Sequence, residues 1–311
     1  MKKDLLKMLD LTGADIERIL DLSDQMKFNQ KHHLPHRYLD GKTVVMIFKK
    51  NSTRTRVSFE TGIYQLGGHG IYLSGKESQI VRGEIMEDTA RTLARYCDGI
   101  VIRTYDQGEV ETLASYAQIP VINGMTDFSH PCQVLADLMT VREHYALLRG
   151  LNACYIGDGD NMCNSLIVGC LKSGMNIRIA CPEGYEPSRE VLDFAAGVTD
   201  ASFALTRNPT EAARDADVVF TDVWVSQGKE AEAGARRAAF AGYQVNDAVM
   251  AVTHPGCMVQ HCLPAHREEE ITGAVFEAHA DEIFEETENR LHVQKAVLSL
   301  LMCGERFEED L

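Results

Sequence analysis

The chain has 311 residues, 45% hydrophobic and 25% charged, a size and balance that suit about two globular domains and exclude a disordered chain. Lysine and arginine number 31 against 46 aspartates and glutamates, a formal charge of −15, which argues against bulk attraction to nucleic acid or an anionic membrane; any bound anion must be held locally. Apolar runs such as residues 44–48 fall far short of the roughly 18 residues of a membrane span, and the nine cysteines, an odd number without a C-x-x-C pair, read as reduced thiols. The opening Met1-Lys2-Lys3-Asp4 runs into an acidic, helix-like segment where a signal peptide would be apolar, so a cytoplasmic protein is expected.

In chain order, helical periodicity at 14–26 precedes a strand at 43–48, a helix at 53–66, a strand at 71–73, a helix at 85–96, a strand at 99–103, a helix at 110–117 and a strand at 121–123. Residues 130–145 read as a helix and not a flexible linker, because Val134, Leu135, Leu138, Val141 and Tyr145 recur at helical spacing. Strands at 153–156, 176–180, 218–221 and 258–261 repeat the rhythm, and residues 290–301 carry a last helical period. Apolar β-rich runs alternating with helices give an α/β fold: two tandem domains, each a mainly parallel sheet flanked by helices, joined by interdomain helices. The boundaries are 1–136, with a C-terminal helix 290–311 packing back on it, and 137–289; the charged residues 305–310 read as a solvated end.

The most informative stretch is Phe48-Lys49-Lys50-Asn51-Ser52-Thr53-Arg54-Thr55-Arg56, where an apolar strand ends and a helix begins that closes at Gly67-Gly68. Free N–H groups and the positive dipole end at such a start favour an anion; Ser52, Thr53 and Thr55 add hydroxyls and Arg54 a planar fork, which outlines a phosphate site. The glycines and lysine of a nucleotide P-loop are missing, so the phosphate need not belong to a nucleotide. Gly157-Asp158-Gly159-Asp160-Asn161-Met162 places methionine where a dinucleotide fingerprint needs its third glycine, which weakens a hydride-transfer reading. Asp222, just past a buried strand, suits an ammonium partner or a cap. His254, Cys257, His261, Cys262 and His266 are zinc-type ligands at a spacing that matches no closed finger, and Cys262 beside a histidine also reads as a nucleophile; on residues alone both remain open.

Ser52-Thr53-Arg54-Thr55-Arg56, His130-Pro131-Cys132-Gln133, Asp222-Val223-Trp224-Val225-Ser226 and His261-Cys262-Leu263-Pro264 closely resemble, in this order, the motifs of the aspartate/ornithine carbamoyltransferase family, and with Arg290 they span nearly the whole chain. The resemblance implies transfer of the carbamoyl group of carbamoyl phosphate to the side-chain amine of L-ornithine, giving L-citrulline and phosphate within arginine metabolism. The alternatives are a carbamoyltransferase for another amine, such as putrescine, and a non-catalytic scaffold. It makes 1–136 the carbamoyl phosphate-binding domain and 137–289 the amino-acid domain. Ser52, Thr53, Arg54, Thr55, Arg103 and Arg290 would hold carbamoyl phosphate, with His130 and Gln133 at its carbonyl oxygen. Asp222 and Ser226 would hold ornithine's α-amino and α-carboxyl groups and Asn161 would contact the amino acid; Gln227, a polar amide to line the pocket, stands where the family carries methionine, and Asp160 where it commonly carries asparagine. Cys262 would lie against the reacting amine, where a lowered thiol pKa would favour a positive charge, with Leu263 backbone at the carbamoyl group. The implied catalytic set is Arg54, Thr55, His130, Gln133 and Cys262, with no metal and no cofactor. Gln79 would reach an adjacent subunit's site in a homotrimer or a multiple of trimers.

Overall fold

A computed structural model describes residues 3–75, 79 and 83–304. The chain divides into two compact units, one running to Ala136 and resuming at Asn289, the other Asp137–Glu288.

In the first unit, β1 (Thr43–Phe48), β2 (His69–Ser74), β3 (Gly99–Arg103) and β4 (Val121–Met125) pair in parallel in the order β2-β1-β3-β4. Between and before them run α1 (Gly13–Lys31), α2 (Thr53–Gln65), α3 (Met86–Leu93) and α4 (Gln107–Ala117). The central strands are apolar on both faces because helices must cover both, and Val45, Ile47, Ile100 and Ile102 pack with Ala90, Val110 and Leu113 in one buried cluster. Burial of each such aliphatic side chain contributes about 1.5–3 kcal/mol. From β1 the chain turns to β2 on one side and then crosses to β3 on the other. That reversal opens a crevice at the carboxyl ends of β1 and β3, where open α/β sheets bind ligands.

After α5 (Pro131–Tyr145), the second unit carries β5 (Asn152–Ile156), β6 (Asn176–Ala180), β7 (Phe203–Thr206), β8 (Val218–Thr221) and β9 (Met258–His261), parallel in the order β7-β6-β5-β8-β9. Its helices are α6 (Asn161–Lys172), α7 (Arg189–Ala196), α8 (Pro209–Ala212), α9 (Ala233–Phe240), α10 (Asp247–Met250) and α11 (Gly273–Ala278). Ile156, Val219 and Val259 pack with Val245, Val249, Val275 and Phe276. Here the order reverses between β5 and β8, so the corresponding crevice is bounded by the residues that follow β5, β8 and β9.

Two elements differ from the sequence expectation. The edge strand β7 is absent from it, and the last helix, α12 (Ala280–Cys303), begins well before residue 290, which puts Arg290 in a helix interior. The later part of α12 belongs to the first unit: Lys27 Nζ donates to Asn289 Oδ1 at 2.8 Å, Lys295 Nζ donates to Gln65 Oε1 at 3.0 Å, and Gly62 of α2 leaves room for the Lys295 stem. The nine cysteines are thiols, outside any disulfide, and among the described residues no helix is long and apolar enough to cross a membrane.

Candidate active site

The first crevice is lined by cations. β1 and β3 are in register at Phe48 and Arg103, so the Arg103 side chain emerges at the level where the chain leaves β1 for α2. Ser52 caps α2, its Oγ accepting the Thr55 N–H at 3.2 Å. The Thr55 hydroxyl is buried and receives two guanidinium groups: Arg290 Nη2 donates to Thr55 Oγ1 at 2.9 Å and Arg103 Nη1 at 3.4 Å. Ser52 Oγ donates to the same oxygen at 3.1 Å, which leaves the Thr55 hydroxyl proton for an incoming anion. Thr53 is exposed and Arg54 half-buried on the same first turn.

His130 ends the loop before α5 and is buried. Burial, and then the positive charges of Arg290, Arg103, Arg54 and Lys50, hold its imidazole well below the usual histidine range. It is therefore a neutral ring among four cations, able to donate to a carbonyl oxygen without bringing a further charge. Lys50, absent from the expected set, is buried, pairs with Asp127 and sits 4.5 Å from the centre of the Tyr105 ring. Gln133 is fully buried in the first turn of α5, and its N–H reaches the His130 carbonyl at 3.2 Å.

The second crevice is lined by acids. β8 and β9 are paired at Thr221 and His261, so Asp222 and Cys262 leave the sheet side by side. Ligand atoms of Asp222, His261 and Cys262 lie within 4.8 Å of one another. Burial pushes the Asp222 carboxyl up to about 6. Burial, the Asp222 charge and the hydrogen bond to that carboxylate push the Cys262 thiol well up, which decides an electrostatic role that the sequence left open: Cys262 is a protonated thiol and not a ready thiolate nucleophile. His261 Nδ1 accepts the Leu263 N–H at 2.9 Å, which places the ring proton on Nε2, 3.0 Å from Glu270 Oε1; both side chains are fully buried. This pair fixes the turn in which Leu263 takes a left-handed φ of 55°.

Asn161 is buried at the first position of α6. The glycine pattern before it has a packing cause, since a Cβ on Gly159 would strike the backbone of residues 185–187. Ser226 is half-buried and donates to Asp160 Oδ2 at 3.1 Å, whereas Gln227 is exposed. Asp158, Lys229 and Arg236, all missed from sequence, join the same cluster: Lys229 Nζ lies 3.2 Å from both Asp158 Oδ2 and Asp160 Oδ2, and Arg236 pairs with Asp158.

The zinc-type residues do not converge. Among the described residues, the groups close enough to share an ion are Asp222-His261-Cys262 and His266-Glu269-Glu270, and neither includes His254 or Cys257. Gln79 is exposed, and its neighbours Val81 and Arg82, whose pattern bears on the expected subunit contact, lie outside the described residues.

The carbamoyl-P binding domain of aspartate/ornithine carbamoyltransferases matches residues 3–143, and the Asp/Orn binding domain of the same enzymes matches residues 149–301. A protein from Geobacter sulfurreducens named ornithine carbamoyltransferase is 50% identical over 302 residues, 97% of this chain and 100% of its own. The solved ornithine carbamoyltransferase of Pyrococcus furiosus is 48% identical with a TM-score of 0.92, covering 97% of each chain. The anabolic ornithine carbamoyltransferase of Campylobacter jejuni is 38% identical with a TM-score of 0.91, covering 97% of this chain and 99% of its own.

Proposed function

Since the chain belongs to the aspartate/ornithine carbamoyltransferase family, we propose that it transfers the carbamoyl group of carbamoyl phosphate to the δ-amine of L-ornithine, forming L-citrulline and phosphate. The observation that carries the reading is the convergence of Arg103 and Arg290 on Thr55 at the start of α2, with neutral His130 among the same cations. A dianionic phosphate suits the N–H groups of the α2 start and the guanidinium groups of Arg54, Arg103 and Arg290. The carbonyl oxygen then meets Thr55, His130, Gln133 and Arg54, donors aimed at a charge that grows as the carbon becomes tetrahedral. Among the acid-lined residues, Asp222 suits the acceptor's α-ammonium, and Asn161 and Ser226 its other α-substituent. The protonated Cys262 and the Leu263 backbone offer neutral polar groups for the reacting end.

The neutral amine attacks the carbonyl carbon; an N–C bond forms, the C–O bond to phosphate breaks, and the amine proton passes to the departing phosphate. Because the amine's reference pKa is near that of lysine, ~10.4, the neutral form is scarce at pH 7 and the rate under limiting acceptor rises with pH. The reading extends to a cytoplasmic homo-oligomer of trimeric type with Gln79 at a neighbouring subunit's site, supported by the family resemblance.

The test is ureido-product formation from carbamoyl phosphate with ornithine, putrescine, lysine and aspartate in parallel. Ornithine is expected to be the preferred acceptor. Preference for putrescine would move the assignment to a diamine, and no turnover with any amine would leave a scaffold.

A further inference from the structure

The loop that follows β8 is tied back onto the turn that follows β5 by a charge cluster that no step of the reaction uses. Lys229 Nζ bridges Asp158 Oδ2 and Asp160 Oδ2, 3.2 Å from each, and among the described residues it is the ion-pair partner of Asp160. Its own backbone N–H donates to the Ser226 carbonyl at 3.0 Å, closing a tight turn from Ser226 to Lys229. Ser226 Oγ donates to the same Asp160 oxygen at 3.1 Å, and Asp160 directly precedes Asn161. Beneath them Arg236, nearly fully buried between the Tyr185 and Phe240 rings at 5.0 and 5.9 Å, pairs with Asp158.

We propose that Lys229 is a positioning residue for the amino-acid half of the site: its ammonium clamps the Ser226–Lys229 turn onto the turn that ends in Asn161, and so sets the affinity for the acceptor. This rests on the function proposed above. Asp158 and Asp160 are like charges held close together in a largely buried place, and burial together with the Asp160 charge already raises the Asp158 carboxyl. A cation shared by both relieves that repulsion. Without it the cheapest relief is separation of the two turns, which carries Ser226 and Gln227 away from Asn161. Arg236 cannot substitute, because it approaches Asp158 from the buried side and serves the anchor, while Asp160 relies on Lys229.

The experiment uses the whole chain, with ornithine varied at saturating carbamoyl phosphate. Lys229→Met is expected to raise the ornithine KM about tenfold, the loss of one charge-assisted contact, while kcat and the carbamoyl phosphate KM change by less than about twofold. Lys229→Arg should restore most of the ornithine KM. The double variant Asp160→Asn/Lys229→Met should lie closer to the wild type than Lys229→Met alone, because the stranded carboxylate is gone. Glu-C digestion gives an independent readout, since cleavage at the exposed Glu230 and Glu232 should speed several-fold in Lys229→Met and not in Lys229→Arg. An unchanged ornithine KM with unchanged cleavage overturns the clamp, as does an equal loss in all three variants. A wild-type chain that makes no citrulline refutes the function instead, and the cleavage rates then still decide the clamp.

Discussion

The two crevices are built by one device and tuned to opposite charges. In each, a parallel sheet reverses its strand order and the residues just past the strand ends carry the chemistry. At the end of β1 and β3, burial and four cations act together on His130 and drive it neutral. At the end of β8 and β9, burial acts on acids: Asp222 rises to about 6 and Cys262 rises with it. The first region is prepared for an anion and the second for an ammonium, in a chain whose net charge of −15 announces neither. Local placement at strand ends, and not bulk composition, decides what each half attracts.

The sharpest way to break this contrast is to remove a cation from the first region. Arg54→Ala should lower kcat about 100- to 1,000-fold, the usual loss for one oxyanion donor, and also raise the KM for carbamoyl phosphate; an unchanged rate removes Arg54 from the mechanism. In the second region Asp222→Asn should raise the ornithine KM about 10- to 100-fold and leave carbamoyl phosphate binding within about twofold. Equal damage to both ligands would mean that the regions are not separate in charge.

The pH profile separates them further. Under limiting ornithine the rate should rise about tenfold per unit as the amine loses its proton. Below pH 6 a second proton adds to Asp222 and removes the negative charge, so the slope should steepen toward two there and return to one in Asp222→Asn. A wild-type profile with one slope down to pH 5 would contradict the raised Asp222 value. The smallest effect is on stability: Ser52→Ala removes the α2 cap and should cost about 0.5–2 kcal/mol in denaturant unfolding, with no change in the ornithine KM.

Both sheets are legible from sequence because β1, β3, β5 and β8 are short apolar runs alternating with helical segments, the pattern expected of parallel strands covered on both faces. Strand β7, Phe-Ala-Leu-Thr, is not, since a four-residue edge strand is largely half-exposed and carries no such run. The start of α12 is hidden for a related reason: Asp281, Glu282, Glu285, Glu286 and Glu288 fill its first turns with acids, and the apolar period becomes visible only further on. Motif residues such as Ser52, Asp222 and Cys262 could be singled out because each follows a strand. Lys50, Arg236 and Glu270 could not, because their roles depend on partners that the topology supplies, as with Arg236 and Asp158, 78 residues apart. Nor could the direction of the Cys262 shift, which follows from the nearness of Asp222 and not from the motif.

A crystal of the chain grown with carbamoyl phosphate tests the central claim most directly. The phosphate should lie on the N–H groups of residues 53–55 with the Arg54, Arg103 and Arg290 guanidinium groups around it, and the carbonyl oxygen should face Thr55 and His130. Density for the ligand at another place, with those side chains turned away from an empty crevice, would contradict the account.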